Sequence, residues 1–530
     1  MPMNTTLHTF DSITAFAPAS RRRRLRPLAA GLLAVALAGC VSMHGLQPQA
    51  QMADPQRLHV QDTLRGVTLT PAAWPQADWW KALGDTQLDA LVDEALAGNP
   101  SIAAVDARVR IAQAQAGAQD AARQPTVGGK AAYTGIDIPA TLAPAPFGGH
   151  YVAANLWTLG GSYSPDLWGG HRAAWEAAVD AAHAAQVDAQ AARLSLATGV
   201  VQAYLELAHA GELDAIAAQG LENANHARTL TAQRVHAGLD GQFHLRQADA
   251  AVAAAQGMLE SVHEQQAQLR AQLAALAGQG PDRGLQLSAP KALSPTMLRL
   301  PEDLPSGLLA RRPDVVAARW RVEASARGIA AMKAQFYPNI NLSLGLGRGS
   351  AKLATLFEAP SHFAQIGPAL ALPIFDGGRL RSGLAERDAD FDAAVAQYDQ
   401  TVLDAVHQVT AQVIARRALD QRIATARQAC DAAGAAWKLA MQRYHGGLAS
   451  LLDVLTVQQS VLQARQQLAD LQAQRLSADV GLLTALGGGF RADGEWAPPA
   501  ASPDTALSRA PWGGSPPTGD RKSGDVRTTQ

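Results

Sequence analysis

The chain has 530 residues with a net charge of −1 at pH 7; 48% of the residues are hydrophobic, many of them alanine, and only 5% are aromatic. This composition suits long, closely packed helices better than a bulky globular core, and the length fits several ordinary domains or one elongated one. Without a long basic run after the N-terminal region, nothing favours a nucleic-acid partner. Two cysteines, Cys40 and Cys430, are too few for a disulfide framework.

The N-terminus has the pattern of a secretory signal. Four arginines at 21–24 precede an apolar run that ends in the letters LAGC at 37–40. The run is too short to cross a bilayer, which takes ~20 residues. We therefore interpret residues 1–39 as a cleaved signal peptide.

The letters LAGC resemble the lipobox of bacterial lipoproteins. This resemblance implies that Cys40 becomes the first mature residue and carries diacylglycerol and palmitate, and that Val41 directs the protein to the outer membrane. The alternative is a plain secretory signal in which Cys40 has no role. We interpret residues 40–84 as the lipid anchor and an extended N-terminal segment.

Several short motifs occur twice, in the same order. The letters QRVHAGL at 233–239 return as QRYHGGL at 442–448, and ALAG at 275–278 returns as ALGG at 485–488. Colinear matches at nearly the same separation indicate an internal duplication. We assign residues 85–280 to the first repeat, 281–311 to a linker and 312–490 to the second repeat. Residues 491–530 are rich in Pro, Gly, Ser and charged residues, which predicts a disordered tail.

Each repeat begins with a predicted helix and two strands. Pro100 and Pro313 open helices of about 24 residues, because proline is favoured in the first turn, and a second proline closes each of them. At 338–347 apolar residues alternate with Asn, Ser and Gly, which predicts a strand with one apolar and one polar face. The same alternation recurs at 366–374, although Pro368 and Pro373 remove ladder donors. Residues 152–164 show it less regularly.

A long helical hairpin completes each repeat. The predicted helices cover residues 172–236 and 381–445, or ~100 Å each at 1.5 Å per residue. In the last helical run, Leu or Ala recurs every seven residues from Leu448 to Leu483, which implies supercoiled helix packing. The motif QRxHxGL is then the bend between two antiparallel helices, far from the strands, with Gly238 and Gly447 in a helix-ending conformation.

Four strands per chain have a consequence for assembly. They cannot close a barrel, and open sheet edges are not tolerated in hydrocarbon. The chain must therefore combine strands with copies of itself. Two copies give eight strands and an interior filled by side chains, whereas three give twelve strands and a lumen. Because long helices continue this barrel, we expect the assembly to be a conduit.

These motifs are similar to those of the outer-membrane efflux proteins. The family is TolC-like, and its lipoprotein branch, which serves RND-type tripartite drug-efflux systems, is the nearest in pattern. The stretches that carry the resemblance are PDLWGG at 165–170, LARRPD at 309–314, FYP at 336–338, PIFDGGR at 373–379 and ALGGG at 485–489.

The resemblance implies an α+β membrane fold. Three chains, each contributing four strands, form a trimeric 12-stranded β-barrel that a long α-helical coiled-coil barrel continues into the periplasm. It also implies a passive duct for multidrug efflux, docked on a periplasmic adaptor (a membrane fusion protein) and coupled to an inner-membrane pump. By the same resemblance, the adaptor-facing tip consists of Gly238, Leu239, Gly447 and Leu448.

The family resemblance also suggests a periplasmic gate. Tyr444 and Asp453 match positions that in other members hold the entrance shut through polar links and acidic rings. His244 stands where some members have an acidic residue, and Ala449 where some have a gating arginine. An ordinary helix-end pair is the alternative for Tyr444 and Asp453.

Other classes of function are less consistent with the sequence. The letters GLGRG at 345–349 end a strand and lead into a loop, not into a phosphate-binding helix. The histidines lack paired metal-ligand spacing, and no Gly-x-Ser-x-Gly elbow is present. We therefore predict no catalytic residue, metal or cofactor beyond the lipid. A periplasmic adaptor would need β-rich domains inserted between hairpins. An exit duct for type I protein secretion shares the expected architecture and remains the alternative, and the sequence does not identify the exported substrate.

Overall fold

The computed structural model describes residues 42–54, 57–60, 62, 65, 74–142, 149–290, 301, 304, 307–493 and 497–498. The chain forms two compact units. The first unit includes the segments Pro125–Trp168 and Met332–Glu386, and the second includes Gly169–Ala331. The units cut across the two sequence repeats, because each repeat contributes its strands to the first unit and most of its helical residues to the second.

The six longest helices agree closely with the predicted ones, and three shorter helices were not predicted. They are α1 (Thr86–Gly98), α2 (Pro100–Ala121), α3 (Gly170–His236), α4 (Gln242–Leu276), α5 (Asp282–Leu285), α6 (Leu308–Arg311), α7 (Pro313–Ala334), α8 (Arg379–His445) and α9 (Leu451–Ala485). A 3₁₀ turn at Trp79–Leu83 precedes α1. As predicted, Pro100 begins α2. There the Asn99 side chain accepts a hydrogen bond of 2.8 Å from the Ser101 N–H, which caps the helix.

Over the part of the chain that the structure describes, none of these helices has the length and apolarity needed to cross a membrane.

The first unit contains a four-stranded antiparallel sheet. Its strands are β1 (Thr126–Ile138), β2 (His150–Tyr163), β3 (Asn339–Ser350) and β4 (His362–Ala371), in the spatial order β1-β2-β3-β4. The pairing of β2 with β3 joins the two repeats. Pro368 lies within β4, so the predicted fourth strand is confirmed despite this proline. An edge strand tolerates proline because one side of it needs no ladder donor.

The sheet has two chemically different faces. Residues directly opposite each other in the register share a face. The first face, here named the apolar face, includes Ile340, Leu342, Leu344 and Leu346 of β3, and Ile366 and Leu370 opposite them in β4. The second, here named the polar face, includes Asn339, Asn341, Ser343 and Gly345 of β3. The alternation predicted for 338–347 is therefore confirmed.

Helix packing dominates the second unit. One core cluster joins α1, α3, α4 and α9 around the fully buried Leu88, Tyr204 and Leu273. A second joins α7, α8 and α9 through residues such as Val322, Val402 and Leu482. Most of the predicted seven-residue row of α9 is at least half-buried, but its first member, Leu448, is exposed because it lies in the bend before α9 begins.

The described residues of the N-terminal segment run along α8, and residues 42–54 form neither a helix nor a strand. Within the second unit, the backbone N–H groups of Gln49 and Ala50 donate to the Asp392 carboxylate at 2.9 and 2.8 Å. The N–H of Ala53 donates to Asp399 at 3.0 Å. An extended segment between the anchor and the first helix was predicted. The predicted signal peptide, Cys40 and most of the predicted tail at 491–530 lie outside the described residues.

Candidate functional site

The bend after α3 has a double hydrogen-bonded closure. The N–H of Gly238 donates to the Val235 carbonyl at 3.0 Å, and the N–H of Leu239 donates to the Arg234 carbonyl at 2.8 Å. This pair of bonds is the Schellman motif, which satisfies the last carbonyl groups of a helix. Gly238 has φ = 77°, a left-handed conformation in which other residues are strained.

The bend after α8 repeats this closure. The N–H of Gly447, at φ = 71°, donates to the Tyr444 carbonyl at 3.0 Å. The N–H of Leu448 donates to the Arg443 carbonyl at 2.8 Å. The prediction that Gly238 and Gly447 end their helices at QRxHxGL is confirmed, because the motif encodes the same closure twice.

Ser450 and Asp453 form a capping box at the start of α9. The Ser450 hydroxyl accepts from the Asp453 N–H at 3.3 Å. The Asp453 carboxylate accepts from the Ser450 hydroxyl at 2.7 Å and from its N–H at 2.8 Å. These bonds, the hydroxyl foremost, hold the pKa of Asp453 below its usual range. In the isolated chain Asp453 therefore has a helix-end role, and its predicted gate role stays a prediction.

The first bend uses different polar contacts at the equivalent place. Gly241 precedes α4 and contributes no side-chain cap. Asp240 instead accepts a hydrogen bond from Arg234 Nε at 2.8 Å, which raises the pKa of the guanidinium. The predicted gate residue His244 is nearby, with its Nδ1 atom 3.8 Å from Asp240 Oδ1. His244 thus borders an acidic side chain.

Tyr444 connects the two bends. Its side chain is buried in a cluster with Ala227, Ala248 and Leu451, so that α3, α4, α8 and α9 meet there. The Arg234 guanidinium lies over its ring, 5.2 Å from the centroid. Its hydroxyl oxygen is buried and has no hydrogen-bond partner among the residues that the structure describes. An unpaired buried hydroxyl is unfavourable, so this atom costs stability unless water or a residue outside the described ranges binds it.

The bends also expose large apolar side chains. The exposed fractions are 67% for Leu239 and 74% for Leu448, the two leucines of the predicted tip. Phe243 and Leu452, in the first turn of the following helices, are 75% and 53% exposed. We name these four residues the tip patch. The sequence analysis missed Phe243 and Leu452, although both occupy the same position after QRxHxGL and lie outside the seven-residue row.

Arg234 was also missed as a site residue. It belongs to the repeated motif, but its contact with Tyr444 joins two segments far apart in the sequence, and no local pattern encodes such a contact.

The geometry of the bends favours binding over chemistry. Across the described ranges, no group of three or more His, Cys, Asp or Glu side chains is placed to hold a metal ion. What the bends present is a group of exposed apolar side chains at helix ends, together with the contact between Arg234 and Tyr444. Such a surface suits recognition of another protein.

Comparison with known proteins identifies the class. The family model for "Outer membrane efflux protein" matches residues 91–279 and 304–488, which lie within the two predicted repeats and the end of the linker. The chain belongs to the outer membrane efflux protein family. The predicted function, an outer-membrane channel for efflux, is thereby confirmed. The family consists of channels, which decides against a periplasmic adaptor.

Individual relatives agree with this assignment. The fusaric acid resistance protein FusA of Burkholderia cepacia is 39% identical over 68% of this chain and 69% of its own. The multidrug resistance outer membrane protein MdtP of Escherichia coli (strain K12) is 31% identical over 86% of this chain and 94% of its own. The crystal structure of the outer membrane protein VceC of Vibrio cholerae has a TM-score of 0.72 and 36% identity, covering 79% of this chain and all of VceC (100%).

Proposed function

We propose that three copies of this chain close their sheets into a 12-stranded barrel in the outer membrane, continued by the long helices as a coiled-coil tunnel in the periplasm. One observation carries this proposal: the sheet has an exposed apolar face and ends in β1 and β4, each paired on one side only. An apolar face suits lipid, but unpaired edges in lipid are strongly unfavourable. Pairing β1 of one copy with β4 of the next removes every edge.

Three copies fit a duct better than two. An eight-stranded barrel is filled by its own side chains, whereas twelve strands leave a lumen. The polar face then lines the lumen, and its small Asn, Ser and Gly residues leave the lumen wide. The trimer is a passive duct, so the energy and the selection of the exported compound belong to its partners.

The tip patch is the proposed docking surface for a periplasmic adaptor, which couples the duct to an inner-membrane pump. Leu239, Phe243, Leu448 and Leu452 are too exposed to serve the core of the chain. Several exposed apolar side chains at helix ends are typical of protein interaction sites. This extends the predicted tip by the two residues of the following helices.

The gate proposal rests on the buried Tyr444 hydroxyl. When the entrance closes, a shift of the helix ends uncovers this hydroxyl and brings it to a partner on a neighbouring copy, and opening breaks that bond. Asp453 and His244 lie in the first turns of α9 and α4, respectively, so both can take part in the polar links of a closed ring.

A lipid on Cys40 completes the proposed assembly at the membrane. The support is the LAGC sequence itself. In a Cys40→Ser variant, incorporation of labelled palmitate should disappear while part of the efflux activity remains, because the barrel also anchors the trimer. Label in that variant would contradict lipidation at Cys40.

Small molecules are the proposed cargo. The names of FusA and MdtP refer to resistance to fusaric acid and to multiple drugs. Export of a protein by type I secretion is the second candidate, since its exit ducts share the architecture. The cargo of this chain is open within these two classes.

Two measurements together test the proposed function. Purified protein reconstituted in a planar bilayer should give discrete conductance steps. Deleting the gene should increase drug accumulation in the cells, and re-expression should reverse the increase. Absence of any conductance would contradict a duct. Conductance without a drug phenotype, together with the loss of a secreted protein, would favour the secretion alternative.

A further inference from the structure

One row of residues crosses the polar face at a single level. Lys130 of β1 lies opposite Thr158 of β2, which lies opposite Gly347 of β3. Gly347 in turn lies opposite Phe363 of β4. Because opposed residues in an antiparallel sheet point to the same side, the Lys130, Thr158 and Phe363 side chains share one face. Gly347 belongs to the same face as Gly345 and Ser343, because residues two apart in a strand share a face. The row therefore lies on the polar face.

Lys130 is the one permanent charge on the polar face of these four fully described strands. The other charged strand residues, Asp137 and Arg348, lie at alternate positions and point to the apolar face. His150, at the start of β2, is the other titratable residue on the polar face. Lys130 is exposed, and within the described ranges no carboxylate forms an ion pair with it. Its charge therefore acts on whatever occupies the space in front of it.

Phe363 adds an apolar surface at the same level. A Cβ atom on residue 347 would lie 2.5 Å from Cζ of Phe363 and 2.7 Å from its Cε1. Only glycine at 347 therefore allows the ring to lie against β3.

An ammonium group and an aromatic ring in one row of the polar face match a particular kind of solute. The ammonium attracts a carboxylate or a sulfonate, and the ring contacts an aromatic or alkyl body. One exposed charge in water attracts weakly, but symmetry in the proposed trimer repeats it three times around one lumen. Rings of lysine or arginine are a common basis of anion preference in pores.

We propose that Lys130 and Phe363 form a transit site for organic anions on the lumenal wall, and that Lys130 gives the barrel a preference for anions. This inference rests on the proposed duct. The transit site lies on the strands, so it does not depend on the proposed gate at the helix bends.

Ion selectivity in a planar bilayer tests the charge. Under a KCl gradient, the reversal potential gives the chloride-to-potassium permeability ratio. Lys130→Gln should lower this ratio by about twofold or more, and Lys130→Glu should lower it further. Arg348→Gln is the matched control: it removes the same charge one residue away from the same row, but from the apolar face. Its ratio should equal that of the wild type.

The outcomes separate the two proposals. Conductance with an unchanged ratio in both Lys130 variants overturns the transit site and leaves the duct intact. A shift in Arg348→Gln instead of Lys130→Gln overturns the assignment of faces and the site with it. A wild type that does not conduct overturns the duct itself and therefore also the site.

A probe molecule tests the binding of organic anions. Salicylate added to the bath should reduce the wild-type current in a concentration-dependent manner, because each bound anion neutralises a lysine and narrows the lumen. Lys130→Gln should abolish this block and Phe363→Ala should weaken it, with single-channel conductance as the check that both variants assemble. Salicylamide, the neutral counterpart, should block little. Equal block by both probes, or block that survives in Lys130→Gln, would overturn the site.

Discussion

The bend after α3 and the bend after α8 share a backbone and differ in their side chains. Both close through the same pair of hydrogen bonds around a left-handed glycine. The first bend then uses the Arg234–Asp240 ion pair. The second uses the Ser450–Asp453 capping box, and Ala449 occupies the position equivalent to Asp240. After duplication the turn geometry was retained while the polar contacts changed.

The difference shows which constraints act at the bends. The repeated Gly-Leu pair is fixed by backbone geometry, which leaves no other residue as suitable at the left-handed position. The start of the following helix has several equivalent solutions, because any suitable acceptor can satisfy its free N–H groups. Val235 in the first bend is replaced by Tyr444 in the second. The buried hydroxyl proposed for the gate therefore exists in one repeat only.

Replacing both bend glycines should have the largest effect. In Gly238→Val/Gly447→Val, each valine must adopt a left-handed conformation, which costs about 1–2 kcal/mol per residue before branching at Cβ is considered. We expect drug resistance to be lost while trimers still form, measured by growth inhibition and by native electrophoresis. Gly257→Val, within α4 and with open space around its Cβ position, is the control. Normal resistance in the double variant would contradict docking through the bends.

Loss of the capping box should have the next largest effect. Ser450→Ala should destabilise the first turn of α9 by about 1 kcal/mol, seen as faster amide hydrogen exchange there and not at α4. The converse change, Gly241→Ser/His244→Glu, should slow exchange at the start of α4. Unchanged exchange at both helices would mean that the two bends do not differ in capping.

The capping box should also respond to pH. The folded pKa of Asp453 lies below the ordinary value of 3.8. A carboxyl group with a lowered folded pKa stabilises the folded state above its unfolded pKa, and this contribution is lost as the pH falls through the folded value. The exchange difference between wild type and Ser450→Ala should therefore be full at pH 5 and above and shrink below about pH 3.8. A difference that grows on acidification would contradict this sign.

Arg234 and Arg443 occupy equivalent positions in the two bends. Their replacement by alanine should lower the thermal stability by different amounts, and this difference should be smaller than the effects above. Arg234→Ala removes an ion pair and a contact with an aromatic ring, each worth about 0.5–1 kcal/mol at a partly exposed position. Arg443→Ala removes a long hydrogen bond of 3.5 Å to the Leu448 carbonyl and a weak attraction to the exposed Asp453 carboxylate. Thermal unfolding should show a lower midpoint for Arg234→Ala than for Arg443→Ala. Equal midpoints would mean that the contact with Tyr444 contributes nothing.

Tyr444→Phe should have the smallest effect on stability. It removes a hydroxyl that makes no bond within the described chain, so the unfolding midpoint should stay within a degree or two or rise. If a neighbouring copy binds this hydroxyl, the closed entrance should loosen and the single-channel conductance should increase. Val235→Thr, at the equivalent position of the first bend, provides the comparison. Unchanged conductance in Tyr444→Phe would contradict its place in the gate.

Local signals account for most of what the sequence predicted. Pro100 and Pro313 mark helix starts, Gly238 and Gly447 mark helix ends, and the alternation from Ile340 to Leu346 marks a two-faced strand. Each of these acts over a few residues. The Ser450–Asp453 spacing is also a local capping signal and could have been recognised. The contact of Arg234 with Tyr444 could not, because it depends on how two distant helix ends pack.

The number of copies in the assembly is not encoded by such local signals. A single sheet with an apolar face and two open edges needs further copies to pair with, and their number follows only from the assembled protein. Native mass spectrometry of the detergent-solubilised protein measures that number directly. Our account predicts one dominant species with three times the mass of the mature chain, dependent on detergent for solubility. A single chain that stays soluble without detergent would contradict it.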